Sequence, residues 1–259
     1  MSIRLISRLD VKMAHLIKGV QMEGWRKLGN PSDRAQKYYE EGVDEILYID
    51  VVASLYQRNN LHDIVKEVAS RTFVSITVGG GISNLDAAKS LMAIGAVKLA
   101  INTAATKRPS FLSELSDTYG SQAVVLNLEA KKLPGGGWTV MNDNGRNHTG
   151  RDAISWAVEA SSLGVGEILV TSIDRDGSKK GMDLDLILAI SSEVDIPVIA
   201  SGGCASSEHA RVAIDHGADA IALGAALHND HLELFSLRND LREMGYPLRP
   251  MPTEFVSHD

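Results

Sequence analysis

Asp10 and Glu129 stand at the ends of two apolar runs, Ile3 to Val11 and Ala123 to Leu128, in matching contexts: Leu9-Asp10-Val11-Lys12 and, 119 residues on, Leu128-Glu129-Ala130-Lys131. Two carboxylates on opposite faces of a bound molecule can divide general acid and general base roles, provided their surroundings set their proton affinities apart. The plain alternative is a pair of solvated strand-end acids, or partners for Lys12 and Lys131. Two glycine clusters offer a second kind of chemistry. Val78-Gly79-Gly80-Gly81 and Ser201-Gly202-Gly203 each end an apolar run and precede a helical one, so bare backbone N–H groups can approach an anion there. One unit later in each case comes a further strand-end cluster, Asn102-Thr103 and Gly224-Ala225, able to hold a phosphate from its other side. A lone glycine pair can be a tight turn. Two at one spacing point to two phosphate cradles on opposite rims, and so to a ligand with a phosphate at each end.

Other polar residues end strands between these clusters. Asp50 and the run Thr171-Ser172-Ile173-Asp174-Arg175-Asp176-Gly177 can hydrogen-bond a sugar or hydroxylated linker, and Gly177 can join the second phosphate site. The alternative is that they cap a helix starting near Asp183. Lys18 can neutralise charge on the substrate, although a solvated lysine is the commoner case.

The elements that must position these groups follow from periodicity. Eight short apolar runs are expected as strands: Ile3 to Val11, Glu45 to Asp50, Val74 to Val78, Val97 to Asn102, Ala123 to Leu128, Glu167 to Ser172, Pro197 to Ala200 and Ala218 to Leu223. Segments such as Pro31 to Glu41, Asn84 to Ile94, Gly150 to Leu163 and Ser206 to His216 carry the three- and four-residue spacing of amphipathic helices. Alternating units of this kind imply a parallel sheet covered by helices. An internal repeat favours closure: Gly42-Val43-Asp44-Glu45-Ile46-Leu47, Gly80-Gly81 and Gly95-Ala96 return as Gly164-Val165-Gly166-Glu167-Ile168-Leu169, Gly202-Gly203 and Gly217-Ala218, all at an offset of 122 residues. The expected architecture is one (β/α)8 barrel over residues 1–259, with half-barrels of about 1–120 and 121–245 and a loosely docked tail, 246–259. Two long connections follow the strands that open each half. Lys18 to Pro31 reads as a loop and Lys132 to Thr149 as a hairpin turning at Asn142 to Gly145, both lid candidates at the mouth.

Composition narrows the function. Its 259 residues are 44% hydrophobic and 23% charged, which fits a globular domain rather than a disordered chain. With 26 Lys+Arg against 33 Asp+Glu the net charge is −7, a poor basis for binding nucleic acid. The single cysteine, Cys204, permits no intrachain disulfide and no thiolate zinc site, and reads as a packed small residue in a cytoplasmic protein. No signal peptide or membrane span is apparent. Of the eight histidines only His228 and His231 are close, so a metal site is not expected.

At the far pole, Arg4, Glu45, Lys98 and Glu167 begin four strands. Charges where strands meet water are ordinary. Pointing inward, the four would instead form a neutral paired ring closing the floor, an unusual thing to bury unless something passes through it.

The runs Leu9-Asp10-Val11-Lys12, Lys18-Gly19-Val20, Val78 to Ile82, Ile101 to Ala105, Tyr119 to Ala123, Thr171 to Gly177 and Ile199 to Gly203 together resemble the cyclase subunit of imidazole glycerol phosphate synthase over nearly the whole chain. The resemblance implies a half-barrel-duplicated (β/α)8 enzyme without a cofactor. Such an enzyme takes ammonia from a glutaminase subunit and converts a bis-phosphorylated ribulosyl formimino carboxamide ribotide into imidazole glycerol phosphate and aminoimidazole carboxamide ribotide. It implies Asp10 as one catalytic carboxylate, Glu129 where the family uses an aspartate, and Arg4, Glu45, Lys98 and Glu167 as the ammonia gate. Three positions depart from the pattern: Glu129 itself, Val97 where an aspartate is usual, and Gly224-Ala225 for Ala-Ser. With Arg8, Gly24 to Pro31, Val52 to Asn59 and Asp143 to Thr149, these departures resemble a second branch, whose barrel delivers ammonia to a sugar amidotransferase in surface-polysaccharide pathways. The sister isomerase of the histidine pathway, which needs no partner, and a non-enzymatic scaffold are the remaining readings.

Overall fold

The computed structural model describes residues 2–53 and 61–250. In chain order the strands are β1 (Arg4–Lys12), β2 (His15–Val20), β3 (Glu23–Gly29), β4 (Glu45–Asp50), β5 (Ser75–Gly79), β6 (Lys98–Ile101), β7 (Val124–Lys132), β8 (Trp138–Asn142), β9 (Asn147–Asp152), β10 (Glu167–Ser172), β11 (Val198–Ser201) and β12 (Ala220–Leu223). The helices are α1 (Pro31–Glu40), α2 (His62–Ala69), α3 (Leu85–Ala93), α4 (Thr103–Lys107), α5 (Ser110–Tyr119), α6 (Ala153–Ser162), α7 (Leu184–Ser191), α8 (Ser207–Asp215), α9 (Ala225–His228) and α10 (Leu234–Glu243).

Strands β1, β4, β5, β6, β7, β10, β11 and β12 pair in that order, all parallel, and β12 returns to β1. This is the expected closed (β/α)8 barrel. Its strands are apolar on both faces because each face is buried. Ile6, Leu47, Ala100, Val125, Leu169 and Ile199 fill the inside, whereas Leu5, Ile46, Val78, Leu126 and Ile168 pack outward under the helices. Helix starts are set by side-chain caps. Asn30, Asn84, Asp152, Asp183 and Ser206 each accept a backbone N–H two or three residues on, and Pro31 takes the first helical position of α1.

Three expectations are corrected. Lys18 to Pro31 is no loop: β2 and β3 form an antiparallel hairpin continuing from β1, just as β8 and β9 continue from β7. The two-residue turn at Gln21 and Met22 (φ 53° and 61°) places two ordinary side chains in the left-handed region, where Asn-Gly is the usual signal, so the hairpin left no turn signature. Helix α6 begins at Ala153, because Gly150 to Asp152 belong to β9. The start of the tail is firmly docked: Ile3 N–H donates to Pro247 O at 2.7 Å, and Arg249 Nε reaches Asp44 Oδ1 at 3.0 Å. Residues 251–259 and 54–60, the latter including 54–59 of the Val52 to Asn59 stretch, lie outside the described residues. No helix of the described residues is long and apolar enough to cross a membrane.

Candidate active site

The four floor charges do point inward, and the reading of them as solvated strand ends fails. Arg4 Nη1 lies 3.0 Å from both Glu45 Oε2 and Glu167 Oε1, and Lys98 Nζ lies 2.9 Å from Glu45 Oε2 and from Glu167 Oε2. Each cation touches both anions, so the ring is closed and neutral. Thr77 Oγ1 adds a 2.5 Å hydrogen bond to Glu45 Oε1 from just inside. A ring of partly buried ion pairs is weak evidence for stability, since desolvation offsets most of its attraction. Its position, plugging one end of an apolar lumen, is the informative part.

At the other end β1 turns Arg4, Ile6, Arg8 and Asp10 to the same face, two residues apart. Asp10 does not pair with Lys12, whose ammonium instead sits 5.3 Å from the Trp25 ring centre. Its Oδ1 accepts from Arg8 Nε at 2.9 Å and its Oδ2 from Lys18 Nζ at 2.7 Å. Lys18 is buried, contrary to the solvated reading, because β2 folds back over the mouth; its ammonium also reaches Asp176 at 3.0 and 3.1 Å. Burial opposes a charge on Asp10, but the two cations outweigh it and hold the carboxyl well below the usual range. Lys18 in turn is held above its ordinary value, since Asp10 and Asp176 overcome its own desolvation.

Glu129, on β7, has a different setting. Its Oε2 accepts from the backbone N–H of Gly145, at the tip of the β8–β9 hairpin, at 2.8 Å. Burial pushes its carboxyl up to about 7, against the opposing pull of Arg8 and that N–H. It borders a cavity of about 370 Å³ that Asp50, Gly80, Gly81, Asn102 and Thr103 also line. The side-chain oxygens of Asn102 and Asn127 are buried there without a hydrogen-bond partner among the described residues, so a ligand hydroxyl or N–H can donate to them.

The second cradle is tighter, a pocket of about 20 Å³ walled by Arg8, Lys18, Asp176, Gly177, Ser201, Gly202, Gly203, Gly224 and Ala225. Thr171 Oγ1 and Ser201 Oγ are engaged by Arg8 Nη1 at 2.8 and 3.3 Å. The glycines are needed for shape. A Cβ on Gly80 (φ 98°) would meet Asp50 O at 2.2 Å, and one on Gly202 (φ 99°) would meet Ser172 O at 2.8 Å. Asp174 is no helix cap: its Oδ2 accepts from Lys132 N at 2.8 Å, while Asp183 caps α7 itself.

Both hairpins reach over the mouth. Met22 from the first packs with Met141 from the second and with Ile173, and the Arg146 guanidinium lies 5.1 Å from the Trp25 ring centre. No group of His, Cys, Asp and Glu suited to a metal ion occurs among the described residues. Cys204 is buried, as expected, and burial pushes its thiol up to about 12.

The model of the family described as "Histidine biosynthesis protein" matches residues 4–233. The chain belongs to this family. It is similar to the "Imidazole glycerol phosphate synthase subunit HisF" of Legionella pneumophila, with 55% identity over 207 residues covering 80% of this chain and 98% of that protein. It also resembles proteins of the same name from Streptomyces coelicolor, 38% identical over 249 residues, and Thermobifida fusca, 38% identical over 254 residues. Each of these two matches covers 96% of this chain and 99% of the relative.

Within this histidine-biosynthesis barrel, residue patterns alone do not disclose four residues that line or contact the site. In the sequence Arg8 stands out only as a feature of the second branch, although its even position on β1 puts it on the face of Asp10. Asn127 follows the same alternation with Glu129 on β7. Lys107, at the end of α4, lines the first cavity, but an isolated lysine carries no sequence signal. Gly145 acts through its backbone, which only the hairpin's geometry discloses. Of the departures from the family pattern, Val97 is half exposed beside the floor ring.

Proposed function

We propose that this protein is the cyclase subunit of a glutamine-dependent imidazole glycerol phosphate synthase. Ammonia released by a glutaminase subunit enters at Arg4, Glu45, Lys98 and Glu167, crosses the lumen and adds to a bis-phosphorylated substrate between Asp10 and Glu129. Carbon–nitrogen bond cleavage and ring closure then give imidazole glycerol phosphate and aminoimidazole carboxamide ribotide. The observation that carries this reading is the alignment of a closed charged ring and two unequal carboxylates at opposite ends of one apolar lumen. Gly80, Gly81, Asn102 and Thr103 would take one phosphate. Gly177, Ser201, Gly202, Gly203, Gly224 and Ala225, with Lys18, would take the other. Asp50, Thr171 and Asp176 would orient the linker. A lone, buried thiol suits a cytoplasmic enzyme.

A second reading has one observation in its favour. Arg8 occupies Asp10, Thr171 and Ser201 at once. Together with the extra methylene of Glu129, this suits a barrel that chiefly delivers ammonia to a sugar amidotransferase.

Purified chain supplied with ammonium salt and the ribulosyl substrate separates the two. Turnover by the wild type supports the cyclase; turnover only after Glu129→Asp supports the delivery barrel. In the reconstituted complex, Lys98→Met should lower glutamine-fed turnover at least tenfold and spare ammonium-fed turnover. An isomerase without a partner would show neither dependence.

A further inference from the structure

We infer that Arg8 divides the two mouth carboxylates, fixing Asp10 as a permanent anion and leaving Glu129 as the carboxyl that exchanges protons with the substrate. The chemistry of this inference rests on the cyclase reading; the charge division does not. Arg8 is fully enclosed, 2% exposed, and spans the lumen from β1 to β10 and β11. It joins a buried chain of alternating charge: Arg8 to Asp10 at 2.9 Å, Asp10 to Lys18 at 2.7 Å, Lys18 to Asp176 at 3.0 Å. The chain is neutral as it stands. A proton on Asp10 would leave its two enclosed cations facing a neutral group, with only Asp176 to balance both, and stranding a buried charge is strongly unfavourable.

The surroundings of the two carboxyls differ on every side. Facing Asp10 are Arg8 from its own strand, Lys18 from β2, Asp176 from the loop after β10, Glu129 across the mouth and His228 from α9. His228 adds no charge near neutrality. Its Nε2 lies 2.9 Å from Arg8 O and its Nδ1 2.7 Å from the Tyr38 hydroxyl, and burial lowers its pKa to about 4. Facing Glu129 are Arg8 and Asp10 at a distance, Asn102 and the Gly145 N–H in contact, and Asp50 and Lys107 across the first cavity. Glu129 makes no ion pair among the described residues, so gaining or losing a proton strands no buried counter-charge. Burial, the largest influence on it, brings its carboxyl to about 7, where both forms are populated.

The exchange balances. As ammonia's nitrogen bonds to the substrate carbonyl carbon, protonated Glu129 gives its proton to the carbonyl oxygen, forming a hydroxyl. The Glu129 carboxylate then takes one proton from the new ammonium nitrogen, leaving a neutral carbinolamine and Glu129 as it began. Asp10 meanwhile stabilises positive charge on that nitrogen without moving a proton. Arg8 acts through Asp10 and is a positioning residue.

Side-chain carboxyl 13C titration of the full chain from pH 5 to 9, read beside the pH profile of ammonium-fed turnover, tests this. In the wild type the Glu129 signal should move with a midpoint near 7 and the Asp10 signal should stay flat. Arg8→Met removes a cation that lowers Glu129, so the Glu129 midpoint and the corresponding kinetic limb should rise together by about one pH unit or more. Arg8→Lys should restore most of that shift. Should Arg8→Met fail to fold, the wild-type titration and the smaller upward shift in Arg8→Lys still decide the matter. Titration of Asp10 between pH 5 and 9 in the wild type, or a kinetic limb that ignores Arg8 while turnover merely weakens, overturns the inference. Absence of turnover with these midpoints intact counts against the cyclase reading and supports the charge division.

Discussion

The two sides of the mouth share a backbone and differ in charge. At an offset of 122 residues, Gly80 (φ 98°) matches Gly202 (φ 99°), and Asn102 (φ −124°, ψ −85°) matches Gly224 (φ −124°, ψ −87°). Even the atom that excludes a side chain corresponds, Asp50 O for Gly80 and Ser172 O for Gly202. Yet the first cradle opens into about 370 Å³ with amide oxygens unpartnered among the described residues and a carboxyl raised to about 7, whereas the second is about 20 Å³ and borders a buried four-charge chain. Each carboxylate also lies toward the glycine cluster of the opposite half: Asp10 of β1 is tied to Asp176 through Lys18, and Glu129 of β7 borders Gly80. In the proposed function phosphate recognition is a backbone property, which duplication can leave unchanged. Proton chemistry depends on side-chain fields, and there the halves have been driven apart.

The strongest way to break this comparison is to neutralise the poised side. Glu129→Gln should cut ammonium-fed turnover on the order of 10²–10⁴-fold, the range for a lost general acid–base, measured by imidazole product formation. A drop below tenfold would return the proton chemistry to Asp10.

His228 sharpens it next, because its counterpart at the 122-residue offset is the non-titrating Thr106. The unfolded histidine takes a proton below its ordinary value of 6.5, whereas the folded one resists until about 4. The unfolded state therefore binds more protons at this site in that window, and the contribution of His228 to stability should fall by roughly 3 kcal/mol as pH drops from 6.5 to 4, then level off, while Glu129, raised to about 7, works in the opposite direction. The difference in denaturant stability between wild type and His228→Gln, in which the Glu129 contribution cancels, should shrink or reverse by that amount across the range; a difference independent of pH would contradict the assignment.

Cradle glycines come third. Gly80→Ala and Gly202→Ala should each cost about 1–3 kcal/mol by thermal unfolding, with Gly80 the worse because its clash is closer. At Gly224, φ is negative and a Cβ would touch Arg8 O at 3.4 Å, so Gly224→Ala should cost about 0.5 kcal/mol or less. Equal losses at positions 80 and 224 would contradict the geometry read here.

Barrel closure, the outward helices and the paired glycine turns were legible because they rest on periodicity and on an ungapped repeat. The floor ring was legible as one of two readings of four residues; charges at strand starts are common, and only closure turns these to one another. Arg8 was within reach of simple alternation along β1, where position 8 shares a face with positions 4, 6 and 10. What hid it was the habit of placing arginine in water. The β2–β3 hairpin was hidden by chemistry: Gln21 and Met22 occupy a turn conformation that their side chains disfavour, and β3 is largely exposed, so neither the turn nor the alternation shows. The burial of Lys18 follows from that hairpin and could not be read without it.

Delivery of ammonia from floor to mouth is the central claim, and isotope dilution tests it most directly. The complex with its glutaminase subunit is given amide-15N glutamine in the presence of excess unlabelled ammonium near neutral pH, and the label in the imidazole product is measured. Passage along the lumen predicts nearly undiluted 15N in the wild type and dilution toward the bulk ratio in Lys98→Met. Label already diluted to the bulk ratio in the wild type would mean that ammonia reaches the mouth through solvent, and would contradict the account.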